Sequence, residues 1–344
     1  MQGGAPLSLA AAELSEAAGN RPRVSVVIPN WNGLKQLPEC LQTLFAQSFQ
    51  DFEVVLVDNA SADSSVAWVR RHHPQVRIIE RSDNGGFAKA VNAGIVASHS
   101  EFVVLLNNDT AVDPDWLASL VIALDDHPAY DFAAPMMLLY SDPELLNAAG
   151  DIYVVRRLFG ANRGFGRVWS MYAEPQRVLG ASAGAAIYRR SLFDDVGLFD
   201  EDFFLMHEDT DLNLRCLLAG KRCLYVPGAR MRHKVGVSRD MMPTLEMTEE
   251  HWRNGAMVAA KDLPLSLLAA GLLVKPWQYF RATFPLRPSY WPSLPARVHQ
   301  VPARLRAEAY GFRKGWAKRP EIWSRRSARR REIIRWLVRG WGPV

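Results

Sequence analysis

The apolar positions up to residue 124 fall into short β-branched runs separated by stretches of helical spacing. Val-Ser-Val-Val-Ile at 24–28 is stopped by Pro29, and the run 52–57 ends at Asp58; both predict strands buried on two faces. Between them, Leu37, Leu41, Leu44 and Phe45 mark one side of a helix over 34–46. Strands over 76–79 and 102–106, and helices over 88–97 and 116–124, continue the alternation. Such alternation predicts an α/β fold, and parallel sheets bind ligands at the carboxyl ends of their strands. The polar residues that follow each strand are therefore the candidates for chemistry.

Further along, 135–177 is rich in Gly, Tyr and Arg and predicts irregular structure or short strands. The segment 179–188, with Gly180, Gly184 and four alanines, suits a close approach of backbone to something else. A helix is expected over Glu208–Leu218, opened by acids and ended by Gly220. The apolar stretch 263–274 is interrupted by Pro264 and flanked by Lys261, Asp262 and Lys275; it is too short to span a bilayer and predicts a surface-lying segment. Residues 1–20 lack a basic start followed by a long apolar run, so they predict a flexible tail and not a signal peptide.

Charge changes this picture at the carboxyl end. From Lys275 onward there are seventeen Lys or Arg against three Glu, a balance of +14 that leaves −9 for residues 1–274 within a net +5. Six of the eleven tryptophans, Trp277, Trp291, Trp316, Trp323, Trp336 and Trp341, share that segment. Cationic and aromatic residues together suit an anionic lipid surface. Ile322, Trp323, Ile333, Ile334, Trp336, Leu337 and Val338 among arginines predict either an interfacial amphipathic helix or a helix packed on the chain's own acidic part. The basic residues lie outside any nucleic-acid motif. Cys40, Cys216 and Cys223 have no zinc-ligand spacing and predict reduced thiols, as in the cytoplasm.

Three clusters could carry chemistry. Pro29-Asn30-Trp31-Asn32-Gly33 and Asp58-Asn59-Ala60-Ser61 each follow a strand and offer fixed polar partners for a nucleobase and ribose, although ordinary turns use the same residues. Asn107-Asn108-Asp109 ends the 102–106 strand, where a carboxylate could hold a divalent cation or cap a turn. His207-Glu208-Asp209-Thr210-Asp211 gathers three carboxylates at a helix start, placing a general base there or satisfying the helix dipole; Asp211 and Arg215, four apart, read as a structural pair. His233 follows among Arg230, Arg232 and Lys234.

In their order, VSVVIPNWNG (24–33), VDNAS (57–61), NGGFAKAVNAGI (84–95), LLNNDT (105–110), GLFDEDFFLMHEDTDLNLR (197–215), and His233 with Gly236 and Ser238 resemble the inverting family-2 nucleotide-sugar glycosyltransferases, in particular their bacterial rhamnosyltransferase-like branch. The resemblance implies a GT-A fold, a Rossmann-like mixed sheet flanked by helices, over 21–240; the charge and tryptophans beyond it predict a basic amphipathic helical extension, 241–344, that associates with a membrane. It implies that Pro29, Asn30, Asn32, Asp58, Asn84, Phe87, Lys89, Asn92, Asn107 and Asn108 bind the donor and that Gly184 lies on the acceptor side. Asn107-Asn108-Asp109 stands where the family usually has Asp-any-Asp, leaving Asp109 as principal ligand of Mg2+ or Mn2+, with His233 near the metal or diphosphate. Asp209 matches the catalytic base, and Glu208 would orient it or the sugar. The donor implied is dTDP-L-rhamnose or a UDP-sugar. The acceptor implied is a glycan or lipid-linked glycan in envelope polysaccharide synthesis, at the cytoplasmic face of the cell membrane and with homo-oligomers allowed. A non-catalytic sugar-nucleotide scaffold is the competing class. A nicotinamide-dependent oxidoreductase is disfavoured because no Gly-x-Gly-x-x-Gly opens the first helix.

Overall fold

The computed structural model describes residues 21–235, 244–283 and 294–339; the expected tail at 1–20, Gly236, Ser238, Trp291 and Trp341 lie outside the described residues. The first half alternates as β1 (Val24–Asn30), α1 (Leu37–Phe45), β2 (Phe52–Asp58), α2 (Ser65–His72), β3 (Arg77–Glu80), α3 (Gly86–Ala97), β4 (Phe102–Leu106), β5 (Thr110–Val112) and α4 (Trp116–Asp126). Helix α1 starts three residues later than its apolar spacing suggests, with Pro38 in the first turn, where a missing N–H costs nothing. Helix α2 escapes the pattern because Val69 is its one buried apolar side chain.

The second half supplies β6 (Phe132–Leu139), β7 (Leu146–Ala148), β8 (Asp151–Val154), β9 (Phe159–Asn162), β10 (Gln176–Val178), β11 (Ala185–Arg189), α5 (Ser191–Val196), α6 (Glu208–Leu218) and β12 (Cys223–His233). Pro135 does not open an irregular region but lies inside β6, and its neighbour β12 bulges between Val226 and Arg230 beside it. A ten-stranded sheet runs β10-β12-β6-β11-β4-β1-β2-β3, with β5 on β12 and β7 on β6. Strands β1 to β4 are parallel to their neighbours in this group, whereas β11 is antiparallel to both β4 and β6, so the sheet is mixed.

Alternation along β1 sends Val24, Val26 and Ile28 to one side, with α1 and α4, and Val27 to the other, with α3 and α6. A third cluster extends the second layer. Leu214, Leu217 and Leu218 of α6 pack with Met257 and Val258 of α7 (Thr244–Asp262), Leu267 and Leu268 of α8 (Leu265–Thr283), and Ile333 and Leu337 of α10 (Arg330–Arg339). Helix α9 (Leu294–Ser324) crosses α7 where Gly311 and Gly315 would, with a Cβ, meet the Arg253 and Met257 carbonyls at 2.0 and 2.2 Å. Of the two readings of the arginine-rich helix, packing on the chain itself describes the inner side of α10. Lysines of α7 and α9 likewise meet acids of the loop before α6: Lys261 and Lys318 reach Asp200 at 2.6 Å each, and Lys314 reaches Asp202 at 2.8 Å. The stretch 263–274, expected to lie on the surface, does so on one side only: Leu265, Leu272 and Leu273 are exposed, whereas Leu263, Leu267 and Leu268 are buried against α6 and α7. Among the described residues, no helix is long and apolar enough to cross a membrane.

Candidate active site

Parallel pairing places Asn30, the last residue of β1, beside Asp58, the last of β2. Asn30 Nδ2 donates to Asp58 Oδ1 (2.9 Å) and Ser61 Oγ (3.2 Å), while Asn108 Nδ2, just past β4, donates to Asn30 Oδ1 (2.8 Å). Three strand-end loops are thus locked by one amide. Gly33 is required there, because a Cβ would lie 2.2 Å from both Asn108 Nδ2 and Asn30 Oδ1. Gly86, at φ +83°, opens α3 against the Phe204 carbonyl, 2.3 Å from where its Cβ would stand.

A cleft of about 420 Å3 lies at this edge, lined by Pro29, Asn30, Asn84, Phe87, Asn107 and Asn108, and by Asp109, Gly184, Glu208, Asp209 and His233. Four expected donor residues do not line it. Asp58 is the buried acceptor behind Asn30, and Asn32 Oδ1 accepts the Ala62 N–H (2.8 Å), so both shape the loops. Asn92 clamps Phe199 through a pair of hydrogen bonds at 2.9 and 3.0 Å, and Lys89 lies along Gly85. Trp31 and Asn59, members of the two clusters offered for a nucleobase and ribose, also line the cleft, as do Gln36, Ser182, Phe204 and Leu205, which carried no expectation. For Trp31 and Asn59 the signal was adjacency to Asn30 and Asp58.

Asp109 and His233 meet because β5 pairs antiparallel with β12, setting His233 opposite Thr110. His233 Nδ1 lies 3.0 Å from Asn147 Oδ1; with the ring proton assigned to Nδ1 to serve that amide oxygen, the Nε2 lone pair lies 3.2 Å from Asp109 Oδ1. That buried carboxylate oxygen has no hydrogen-bond partner. Two lone pairs so close repel unless a cation or proton lies between them. The carboxylate oxygen suits Mg2+ or Mn2+, whereas the imidazole nitrogen is a softer ligand than Mg2+ ordinarily takes. Among the described residues no group of three or more His, Cys, Asp or Glu forms a cage. Such a site suits an ion that keeps waters and substrate phosphates as its remaining ligands.

Across the cleft, Met206 and His207 take left-handed backbone angles, and α6 then starts at Glu208. Burial and the neighbouring Asp209 charge push the Glu208 carboxyl up to about 8. Burial also raises Asp209, although the Thr210 N–H donates to it at 2.6 Å and the Ala183 backbone also bonds it. Asp151 of β8, buried and held by Asn213 Nδ2 at 3.0 Å, is raised by burial and by Asp209 in turn. Asp211 and Arg215 form the expected structural pair at 2.9 Å, fully buried.

The family model for glycosyl transferase family 2 matches residues 25–197, just over half of the chain. The chain belongs to that family. It is 27% identical over 255 residues to the N-acetylglucosaminyl-diphospho-decaprenol L-rhamnosyltransferase of Mycobacterium tuberculosis, covering 66% of this chain and 80% of that one. Three other curated relatives are matched over only 15%, 33% and 11% of their own lengths. In fold, the chain is similar to S. aureus TarS 1–349 in complex with UDP-GlcNAc (TM-score 0.57, 16% identity, 88% and 90% of the two chains). It is also similar to the mannosyltransferase PcManGT of Pyrobaculum calidifontis in complex with GDP-Man and Mn2+ (0.52, 19%, 89% and 86%). The mixed sheet and its flanking helices are the GT-A arrangement that this family-2 chain shares with them.

Proposed function

We propose that the chain is a metal-dependent, inverting glycosyltransferase that moves a sugar from a nucleoside diphosphate to a hydroxyl of a glycan or lipid-linked glycan at the cytoplasmic face of a membrane. The observation that carries this reading is the convergence of the Asp109–His233 pair and Asp209 on one cleft. Asp109 and His233 would hold Mg2+ or Mn2+, which when bound offsets the charge that develops on a departing diphosphate. The loops tied by Asn30, Asn108 and Asp58 form the donor edge, and Trp31 and Phe87 offer aromatic surface to the base. Asp209 takes the acceptor proton as the hydroxyl oxygen attacks the anomeric carbon from the side opposite the leaving group. The configuration inverts and no covalent sugar–enzyme species forms. Burial makes Asp209 a stronger base than an ordinary aspartate. Glu208, protonated near neutral pH, adds no second charge and orients the base or sugar.

For the donor, dTDP-L-rhamnose is the first choice and UDP-sugars the second. The likeness to a rhamnosyltransferase supports the former, and a fold shared with a UDP-GlcNAc complex supports the latter. The test is turnover of purified protein over a panel of nucleotide sugars, with the anomeric configuration of the product read by NMR. Asp209→Asn should lower kcat on the order of a hundredfold or more while nucleotide binding persists. Full turnover in that variant would overturn the assignment of the base.

A further inference from the structure

A second cavity, about 670 Å3, opens among the turn after β8, α7, α8 and α9. Its lining includes Arg156, Arg157, Lys275 and Arg304, with Trp252 and Trp277. Glu308 is the one acid among its lining residues; it accepts from Lys275 (2.9 Å), Arg304 (3.0 Å) and the Tyr279 hydroxyl (2.7 Å). Four cations against one carboxylate leave the lining with a formal +3 when His251 is neutral, and burial together with Arg304 and Lys275 disfavours the charged form of His251. The cavity is therefore built for an anion.

The same helix that supplies Lys275 carries an exposed apolar stripe that meets the cavity at Trp277. Leu273, Trp277 and Phe280 recur at helical spacing and are 82%, 58% and 53% exposed, and the Trp277 and Phe280 rings stack at 5.6 Å. A free nucleotide or inorganic phosphate would use the cations and leave the stripe bare. An anion with a hydrocarbon chain uses both. The cavity also backs onto the catalytic acids: His251 of its wall lies 3.1 Å from His207 Nε2, and His207 precedes Glu208. Asn254 Nδ2, on the same helix as His251, donates to the carbonyls of Leu205 (3.0 Å) and Met206 (2.9 Å), in the loop that lines the donor cleft.

We propose that this cavity holds the phosphate or diphosphate of a lipid-linked acceptor, with its hydrocarbon chain laid along Leu273, Trp277 and Phe280. The proposal rests on the glycosyltransferase reading and supplies its acceptor site. The test is calorimetric titration of the full chain with farnesyl diphosphate, with inorganic pyrophosphate, and with phosphatidylglycerol vesicles, in Arg157→Glu and Trp277→Ala variants as well as the parent. Both substituted side chains are exposed, and UDP affinity measured alongside reports that each variant is folded. Farnesyl diphosphate should bind together with UDP, at least tenfold more tightly than pyrophosphate, and each substitution should weaken it at least tenfold. Displacement of farnesyl diphosphate by UDP, equal affinity in the parent and Arg157→Glu, or binding of vesicles but not of farnesyl diphosphate would each overturn the site. These outcomes do not depend on turnover. Binding of farnesyl diphosphate by a protein that turns over no nucleotide sugar of the donor panel, with a lipid-linked glycan supplied as acceptor, would leave the site standing and refute the glycosyltransferase reading instead.

Discussion

Glu208→Gln removes the most costly ionisation in the cleft, and the structure fixes how its effect must vary with pH. The Glu208 carboxyl titrates near 8 in the folded chain against an ordinary 4.5. Below the ordinary value both states are protonated and folding carries no penalty. Between the two values the unfolded chain is ionised while the folded one is not, so native stability falls by about 1.4 kcal/mol per pH unit. Above about 8 both are ionised and the penalty is constant. From pH 4 to pH 7 the parent should therefore lose about 3 kcal/mol relative to Glu208→Gln. Glutamine keeps the shape and carries no charge, so the comparison between pH values cancels whatever fixed difference the amide introduces. The assay is urea unfolding of both proteins, without nucleotide or metal, at half-unit steps from pH 4 to pH 9. A stability difference that stays flat across that range, or that moves in favour of the parent as pH rises, would refute the assignment of a raised carboxyl.

Asp109→Ala should abolish the metal dependence of UDP binding, measured by calorimetry with and without Mn2+; a metal-enhanced affinity equal to that of the parent would remove Asp109 as a ligand. Because burial raises Asp209, kcat should fall with decreasing pH along an acid limb whose midpoint lies above the ordinary aspartate value of 3.8, as a pH–rate profile would show. Leu337→Ala should cost about 2–5 kcal/mol in urea unfolding, as expected for a core leucine, because this side chain is 1% exposed against α6 and α7. A cost near zero would mean that α10 is not docked as described.

The alternating half of the fold was legible in the amino-acid order alone. Short β-branched runs such as Val24 to Ile28 favour buried strands, although β1 runs on through Pro29 to Asn30 instead of stopping at the proline, while β2 ends at Asp58 as its run predicts. The sequence also marked most of the cleft, because strand-end residues of a parallel sheet share one edge whatever the details of packing. What it could not contain was pairing between segments far apart in the chain. Asp109 faces His233 only through the antiparallel β5–β12 ladder, and Asn147 fixes the imidazole from β7. Asp151 adds its charge to the acids of α6 from β8, a neighbour no local pattern announces. The arginine-rich helix shows the same division most plainly. Its periodicity predicts one apolar face, but periodicity is blind to what covers that face, and it is the tertiary fold that turns Ile333 and Leu337 inward and leaves Leu273, Trp277 and Phe280 of α8 outside. An amphipathic pattern specifies that a surface will be buried, whereas the partner that buries it is chosen by the shape and charge of elements distant in sequence.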